Sequence, residues 1–390
     1  MNIVLGVSSS ISIYKTCELI RKFIKEGHHC QVIMTKNATK LISQTTFSAL
    51  SQREVLVDMF PEDQSKINHI YFSQWADCLL IAPATANVIG KIASGIADDF
   101  LTTYYLAHRK KVIIAPAMNK FMWENPAVVE NIEKLKKRGN VIIEPEEGEL
   151  ACGEEGKGRM ADVDKIYETV ISEIYKPKYF LGKKILITAG PTREYIDNVR
   201  FISNPSSGRM GYSLAKVAKR MGADVLLLSG KVPIPQPVGV ITHFFEESNE
   251  LLNLLKNKIK GMDFLFMVSA VGDFKPPYVN KKIKRGKELM LNLKPTKDIL
   301  KEVKETYKGF ILGFGAEDEN LEENGKKKLK EKGLDAIFVN DISRKDVGFE
   351  SEENEGIFIS KEYSKKIPRN PKEKIAEEIL IEVAKIAKLA

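Results

Sequence analysis

The chain has 390 residues, of which 43% are hydrophobic and 29% are charged. A chain of that length is too long for one ordinary hydrophobic core, so we expect about two domains. The composition is typical of globular proteins and excludes fibrous classes. The sequence contains neither an apolar run of ~18 residues nor a cleavable N-terminal leader, so we expect a cytoplasmic protein without a membrane partner.

The charge balance narrows the class of ligand. The formal net charge is +8, but the lysines are spread over many predicted helices rather than gathered in one aromatic-rich patch. This distribution disfavours nucleic acid and favours anionic small-molecule substrates. The four cysteines have irregular spacings and no CxxC pair, so neither a disulfide framework nor a zinc site is indicated.

The N-terminal segment predicts a βαβ unit. A strand, NIVLGV, is followed by SSS, by the helical ISIYKTCELIRKFIKEG and by a second strand, CQVIMT. Ile13, Cys17, Ile20 and Ile24 recur at helical spacing and predict the buried stripe of this helix, and Gly27 would end it. Continuous apolar runs in DCLLIAP, KVIIAP and NVIIEP predict three further strands.

The same plan restarts near residue 183. Pro177 and basic residues mark a linker at about 176–183, after which KKILITAG, MGYSLAKVAKRMG and ADVLLLSG predict strand, helix and strand. The runs in VITHFF, DFLFMVSA, GFILGFG and DAIFVN predict more strands. Continuous apolar runs are typical of parallel sheets covered on both faces. The sequence therefore predicts an α/β fold with two doubly wound, Rossmann-like domains, residues 1–178 and 179–390.

Small and polar residues follow three predicted strands of the first half. VSSSIS leads into a helix, where hydroxyls and backbone amides suit a phosphate, although serines also cap helices for purely structural reasons. PATAN and PAMN follow the next two strands. Because ligands of open α/β sheets bind beyond the carboxyl ends of the strands, we expect the three loops to form one crevice.

Residues 1–170 resemble the flavin-dependent cysteine decarboxylases, specifically phosphopantothenoylcysteine decarboxylases. The resemblance rests on GVSSSISIYK, NHIYFSQWAD, APATANVIGKIASGIADD, APAMNKFMW and ACGEEGKGRM. It implies a flavodoxin-like domain with bound FMN. It also implies a reaction in which the substrate's cysteinyl thiol is oxidised to a thioaldehyde, carbon dioxide is lost, and the resulting enethiolate is reduced by the same flavin. The cofactor contacts so implied are Ser8, Ser9, Ser10, Thr35, Thr85 and Ala86.

The resemblance also assigns roles to four residues. Asn119 and Met122 would bind and orient the substrate carboxylate, since an amide donates hydrogen bonds to it without adding a cation. His69 would be the active-site base, because imidazoles exchange protons near neutral pH. Cys152 would protonate the enethiolate from a glycine-rich flap. Core packing of Met122 and Cys152, and a structural role for His69, are the alternatives for residues of these types.

Residues 187 to about 345 resemble phosphopantothenate-cysteine ligases, which many prokaryotes carry fused to the decarboxylase. The resemblance rests on ITAGPTREYIDNVRFISNPSSGRMGYSLA, SAVGDFKP, KIKRG, GFGAED and LKEKGLDAIFVND. It implies that 4'-phosphopantothenate is activated as an acyl-cytidylate with CTP and then joined to cysteine. The absence of GxxxxGK[ST] excludes a Walker-type loop.

The ligase resemblance implies a second set of site residues. Asn204 and Arg200 would act on the acyl-nucleotide and the substrate, Arg209 would belong to an anion cradle before a helix, and Lys282 would neutralise phosphate charge. Ordinary polar turns and a solvated lysine face are the alternatives. The nucleotide contacts so implied are Met267, Val268, Ser269, Asp273, Lys282, Lys297, Asp298, Ile299, Leu300, Phe314, Lys328 and Lys332.

Mg²⁺ is the expected counter-ion of the phosphates, with ligands that the sequence does not identify. The family resemblance implies homo-oligomers, with trimer-based decarboxylase assemblies and ligase dimers. Two other functions remain open from the sequence. The second domain could be a nucleotide sensor without catalysis, or the basic chain could bind nucleic acid.

Overall fold

A computed structural model describes residues 1–59, 68–149, 153, 155–286, 288–343 and 351–390. These residues form two compact units, Met1–Ile174 and Tyr175–Ala390. Within the described ranges, no helix combines the length and the apolar character needed to cross a bilayer.

The first unit contains one main sheet, a hairpin and flanking helices. The strands are β1 (Asn2–Val7), β2 (His29–Met34), β3 (Cys78–Ala84), β4 (Lys111–Pro116), β5 (Val141–Ile142), β6 (Glu146–Glu149) and β7 (Glu155–Arg159). The helices are α1 (Ile13–Lys25), α2 (Gln44–Ser51), α3 (Asn68–Trp75), α4 (Ala86–Ser94), α5 (Phe100–Ala107), α6 (Lys120–Trp123), α7 (Pro126–Lys137) and α8 (Val163–Ile174).

The main sheet has the strand order β2-β1-β3-β4-β5, and neighbouring strands are parallel. This is the flavodoxin order, whose switch point lies between β1 and β3. Every residue of β3 is buried, as expected of a central strand covered on both faces. The sheet confirms the predicted flavodoxin-like α/β class and places the ends of β1 and β3 side by side.

The predicted buried stripe of α1 is partly wrong. Ile13 and Ile20 are buried as expected, but Cys17 and Ile24 are only half-buried. Leu19 and Phe23 are fully buried in their place. Burying Leu19 and Phe23 removes more apolar area from water than burying Cys17 would, which favours this side of the helix.

The second unit contains a larger sheet. Its strands and two small ribbons are β8 (Lys184–Ala189), β9 (Arg193–Tyr195), β10 (Phe201–Ser203), β11 (Asp224–Gly230), β12 (Ile241–Phe245), β13 (Phe264–Met267), β14 (Phe274–Lys275), β15 (Lys294–Pro295), β16 (Phe310–Glu317), β17 (Ala336–Asp341), β18 (Glu353–Ser360) and β19 (Ser364–Pro371). The helices are α9 (Arg209–Arg220), α10 (Ser248–Lys258), α11 (Ile299–Lys304), α12 (Leu321–Lys332) and α13 (Lys372–Ile386).

The larger sheet has the order β12-β11-β8-β13-β16-β17-β18-β19. Its first six strands are parallel and follow the Rossmann order 3-2-1-4-5-6, which confirms the predicted Rossmann-like fold. The switch point lies between β8 and β13. The last two strands are antiparallel, so the expectation of a purely parallel sheet is wrong at this edge.

Candidate active sites

The carboxyl ends of β1 and β3 are joined by Ser8. Its hydroxyl donates to the carbonyl of Pro83 at 2.7 Å and accepts from the N–H of Thr85 at 3.0 Å. The adjacent strand contributes Thr35, whose N–H donates to the carbonyl of Val7 at 3.0 Å. Ser8 is 1% exposed. Its hydroxyl therefore fixes the loops at the switch point, and the half-buried Ser9, Ser10, Thr85 and Ala86 lie where these loops meet.

The start of α1 has the chemistry of a phosphate site. Ser9 and Ser10 precede this 13-residue helix, and its first turn contains no acidic residue. Hydroxyl donors at the positive end of a helix dipole fit the phosphate of a flavin nucleotide. Ile11 and Tyr14 are 64% and 57% exposed, and such apolar surface beside the donors fits a large aromatic ring. The residues present therefore fit FMN.

The end of β4 positions Asn119. The N–H of Ala117 donates to the carbonyl of Ala84 at 3.0 Å, which aligns this loop with the end of β3. Asn119 is the N-cap of α6, and its side-chain oxygen accepts from the N–H of Phe121 at 2.8 Å. That bond uses the side-chain oxygen as the acceptor, so the donor end of the amide is its NH₂ group. Met122 is 48% exposed, so core packing does not account for it.

The hairpin of β6 and β7 packs on this loop. The N–H of Met118 donates to the carbonyl of Gly158 at 3.0 Å. A Cβ atom added to Gly158 would lie 2.3 Å from the carbonyl oxygen of Met118, so the backbones touch only because position 158 has no side chain. Lys15 fixes the base of the hairpin, since its ammonium donates to the carbonyl of Met160 at 3.1 Å. Cys152 lies outside the described residues.

His69 lies in the first turn of α3 and is half-buried. α3 packs against α5 on the side of the sheet that carries α4 as well. The hydroxyl of Tyr104 on α5 holds α3 by donating to the carbonyl of Phe72 at 3.1 Å.

In the second unit, a cleft with two lobes lies at the carboxyl ends of β13 and β16. The lobes have volumes of about 300 Å³ and about 400 Å³ and share Ser269, Asp273, Phe314 and Lys328 among their lining residues. The predicted nucleotide contacts that line the cleft are Met267, Val268, Ser269, Asp273, Lys297, Asp298, Ile299, Leu300, Phe314, Lys328 and Lys332.

Thr188 organises the switch point of this sheet. It is fully buried at the end of β8. Its hydroxyl oxygen accepts from the N–H groups of Val268 and Ser269, both at 3.1 Å, and donates to the hydroxyl of Ser269 at 2.9 Å. The side chain of Thr188 therefore fixes the backbone of Val268 and Ser269, which line the cleft.

The first lobe contains the predicted anion cradle. Gly208 is the N-cap of α9 with φ +72°, a backbone conformation that favours glycine. Arg209 and Asn204 also line this lobe. The side chain of Asn204 donates to the carbonyl of Val271 at 3.2 Å, and Arg209 pairs with Glu352 at 3.6 Å. The start of a 12-residue helix and an arginine thus face one cavity, as an anion requires.

Arg200 and Lys282 lie apart from the lining of both lobes. Arg200 donates to the carboxylate of Asp197 at 2.9 Å and to the carbonyl of Ile283 at 3.0 Å. Asp197 also accepts from the N–H of Ile283 at 3.0 Å. Lys282, the neighbour of Ile283, is exposed. The buried Asp197 therefore links Arg200 to Ile283, the residue that follows Lys282, across more than 80 positions of sequence.

The second lobe is lined by paired lysines. Lys328 pairs with Glu317 at 2.5 Å, and Lys332 pairs with Asp298. Burial raises the pKa of Asp298, but the hydrogen bonds from Lys332 and from the N–H of Lys301 outweigh it and hold the pKa below its ordinary value. Both lysines line the second lobe while their side chains stay 46% and 44% exposed, so a ligand in the cleft can reach them.

Known families match both units. A flavoprotein family model matches residues 1–175, and a model of the C-terminal domain of DNA/pantothenate metabolism flavoproteins matches residues 180–387. The coenzyme A biosynthesis bifunctional protein CoaBC of Bacillus subtilis is 43% identical, with 99% of this chain and 97% of that protein covered. The chain belongs to the CoaBC family.

Two further CoaBC proteins match at similar length. That of Vibrio cholerae is 38% identical, covering 97% of this chain and 96% of that protein, and that of Borreliella burgdorferi is 36% identical, covering 97% and 98%. Relatives of this CoaBC chain thus align with both units together.

Three residues that shape the second site were not predicted from the sequence. Thr188 and Asp197 lie within the motif ITAGPTREYIDN, but their hydrogen bonds to loops far away in sequence follow from no local pattern. Lys372 begins α13 and lines the first lobe, about 30 residues beyond the segment LKEKGLDAIFVND. For Thr188 the available signal was its place at the end of a strand.

The described residues of this CoaBC chain contain no group of three or more His, Cys, Asp or Glu side chains arranged to hold a metal ion. In the part of the cleft that the structure describes, carboxylates face both lobes through Asp273 and the second lobe through Asp298. Mg²⁺ usually keeps several waters and binds one or two carboxylates plus substrate phosphates. These residues fit a Mg²⁺ ion that arrives with the nucleotide.

Proposed function

We propose that this chain catalyses two consecutive steps of coenzyme A biosynthesis. The second unit joins cysteine to 4'-phosphopantothenate, and the first unit decarboxylates the product to 4'-phosphopantetheine. The observation that supports this most strongly is the presence of two separate sites, one in each unit, in a chain that aligns with CoaBC proteins over nearly its whole length. The order of the units is the reverse of the order of the reactions.

In the ligase step, the pantothenate carboxylate attacks the α-phosphate of CTP and pyrophosphate leaves. The cysteine amine then attacks the acyl-cytidylate, and CMP leaves. Lys297, Lys328 and Lys332 neutralise the triphosphate, with Mg²⁺ as the second counter-ion. Phe314 packs against the nucleoside, since it lines both lobes at their junction.

The remaining ligase residues act on the acyl group. Asn204 and the start of α9 bind the acyl-nucleotide in the first lobe, because both line that cavity. Arg200 and Lys282 bind the acid and the phosphate that is being transferred, with Asp197 holding Arg200 and the neighbouring residue Ile283. Each donor replaces a contact with water by a positioned hydrogen bond, which lowers the barrier where negative charge develops.

In the decarboxylation step, FMN held at the β1 and β3 switch point would supply the chemistry that accepts and returns two electrons at the substrate's sulfur-bearing carbon. Asn119 binds the carboxylate through its amide, and Met122 packs against the substrate beside it. His69 accepts the proton of the substrate thiol. Carbon dioxide leaves from the carboxylate that Asn119 orients, and Cys152 donates a proton to the carbon that remains.

The loops at the β1 and β3 switch point hold the cofactor in this proposal. Ser9 and Ser10 bind its phosphate at the start of α1. Ser8, Thr35, Thr85 and Ala86 shape the cavity for the rest of the molecule. The predicted trimer-based and dimeric assemblies and the cytoplasmic location stay predictions from the sequence.

One coupled assay tests both activities. The full chain is incubated with 4'-phosphopantothenate, cysteine, CTP and Mg²⁺, and 4'-phosphopantetheine and pyrophosphate are measured. We expect both products, and omission of cysteine should prevent 4'-phosphopantetheine formation. A nucleotide sensor would release no pyrophosphate in response to 4'-phosphopantothenate, and a protein that neither contains FMN nor binds added FMN would contradict the decarboxylase assignment. ATP in place of CTP tests the choice of nucleotide.

A further inference from the structure

Thr192 joins two segments at the ligase cleft. It is fully buried and comes directly before β9. Its hydroxyl oxygen accepts from the N–H of Gly272 at 2.9 Å. Its own N–H donates to the carbonyl of Ala270 at 3.2 Å, and its carbonyl accepts from the hydroxyl of Ser203 at 2.7 Å. The three polar groups of Thr192 therefore connect the segment that ends at Ser203 to the segment 270–272.

The hydroxyl of Thr192 takes the place of a backbone carbonyl in a parallel ladder. The N–H of Ala270 donates to the carbonyl of Gly190 at 3.0 Å, and the carbonyl of Ala270 accepts from the N–H of Thr192. The next N–H of such a ladder, that of Gly272, would donate to the carbonyl of Thr192. It donates to the hydroxyl instead, and the carbonyl binds Ser203. A hydroxyl at position 192 thus lets one residue hold both segments.

The two segments lead directly into predicted site residues. Asn204 comes after the first segment, and Asp273 comes after the second. Both residues line the first lobe, and the amide of Asn204 donates to the carbonyl of Val271 at 3.2 Å. Among the described residues that line the two lobes, Thr192 does not occur. It therefore sets the spacing of Asn204 and Asp273 without lining the cavity itself.

Hydrogen bonds rather than close packing fix Gly272. Thr192 holds its N–H, and its carbonyl accepts from the hydroxyl of Thr296 at 2.7 Å. The N–H of Thr296 also donates to the carbonyl of Asp273 at 2.9 Å. Glycine has more backbone freedom to lose than any other residue, and a Cβ added here would meet only ordinary contacts, at 3.5 Å or more. The position of Asp273 therefore depends on these hydrogen bonds.

We propose that Thr192 is a positioning residue of the ligase, which holds Asn204 and Asp273 at the spacing that the acyl-nucleotide requires. The inference rests on the proposed ligase function and extends it by a residue to which that function assigns no role. A residue that acts through position affects the chemical step more than ground-state binding. Loss of the Thr192 hydroxyl should therefore reduce kcat more than the affinity for CTP, whose triphosphate is bound by lysines of the second lobe in the proposed function.

The experiment compares the full chain with three variants. Thr192→Val removes the hydroxyl and keeps the shape of the side chain, whereas Thr192→Ser keeps the hydroxyl. Ser360→Ala is the matched control, because this buried hydroxyl also accepts from two backbone N–H groups, those of Glu362 and Tyr363. Ser360 pairs with Ala336 at the start of β17, the sheet edge opposite the cleft. The measurements are pyrophosphate release in response to 4'-phosphopantothenate and calorimetric binding of CTP.

Misplacement of a positioned group by ~1 Å costs about 100-fold in rate, so Thr192→Val should lower kcat by about 10- to 100-fold. It should bind CTP with the parent's stoichiometry and with an affinity that changes much less than kcat. Thr192→Ser should restore most of kcat, because it keeps the acceptor for Gly272, and Ser360→Ala should match the parent. A parent-like kcat in Thr192→Val, a serine variant as slow as the valine variant, or a loss of kcat that merely follows a loss of CTP stoichiometry would each overturn the inference.

Hydrogen exchange measured by mass spectrometry tests the positioning without turnover. The segment 270–273 should exchange about 10-fold faster in Thr192→Val, because one hydrogen bond of this loop is lost, and at the parent rate in Thr192→Ser and Ser360→Ala. Unchanged exchange in Thr192→Val would overturn the inference even in an active enzyme. A parent chain that releases no pyrophosphate would instead contradict the proposed function, and faster exchange in its valine variant would still show that Thr192 fixes the segment before Asp273.

Discussion

The contact between Gly158 and Met118 makes a sharp prediction for the decarboxylase unit. In Gly158→Ala, the new Cβ would lie 2.3 Å from the carbonyl oxygen of Met118, whereas C···O contacts of this kind lie at about 3.3 Å. The two backbones would therefore separate by about 1 Å. The atom in the way is backbone, so no side-chain rotation can relieve the contact.

The displaced segment leads directly into Asn119. A displacement of ~1 Å of a positioned group costs about 100-fold in rate, so we expect decarboxylation to slow by about 10- to 100-fold. Crowding of this kind destabilises a fold by about 1–3 kcal/mol. Gly158 does not have positive φ, so the effect would be steric rather than conformational.

The assay is single-turnover release of carbon dioxide from 4'-phosphopantothenoylcysteine, with pyrophosphate release by the ligase unit as an internal control. Gly90→Ala is the matched variant. Gly90 lies inside α4, and its added Cβ would meet only Asn131, at 3.7 Å. The Gly90→Ala variant should decarboxylate at the parent rate, and its free energy of unfolding should rise by about 0.5–1 kcal/mol. If Gly158→Ala decarboxylated as fast as the parent, the hairpin would not position Asn119.

Three further predictions concern other residues. Thr188→Val leaves the N–H groups of Val268 and Ser269 without their acceptor, which costs about 1–3 kcal/mol; KM for CTP should rise while decarboxylation kinetics stay constant, and an unchanged KM would contradict the role of Thr188. Asp197→Asn should lower ligase kcat by loosening the segment of Lys282. Hydrogen bonds from the N–H groups of Ile283, Arg200 and Val199 outweigh the effect of burial and lower the pKa of Asp197 to about 2. The ionised carboxylate therefore stabilises the fold fully above the ordinary pKa of 3.8, and this stabilisation is lost as the pH falls through 2. The difference in unfolding free energy between parent and Asp197→Asn should narrow over that range, and a constant difference would refute the carboxylate's role. Cys152→Ser should release carbon dioxide but retain the enethiol product, detected by mass, and turnover at the parent rate would show that Cys152 is not the proton donor.

Much of the site was predictable because of how parallel sheets are built. Their strands point the same way, so loops after successive apolar runs must meet at one edge. This is why Ser8 and Thr85 are in contact although their predicted roles came from separate motifs. The same rule placed Ser269, Asp273 and Phe314 around one cleft.

Apolar periodicity is a local property, so the two α/β units, their central strands and the motif residues at strand ends could be predicted from the sequence. Tertiary structure alone decided the antiparallel pair β18 and β19, whose residues pair by register rather than by a continuous apolar run. It also decided which side of α1 is buried, the hydrogen bond between Asp197 and Ile283 across 86 positions, and the place of Lys372 in the cleft. Each of these depends on which distant segments pack together, and that is set by the free energy of the whole fold rather than by neighbouring residues.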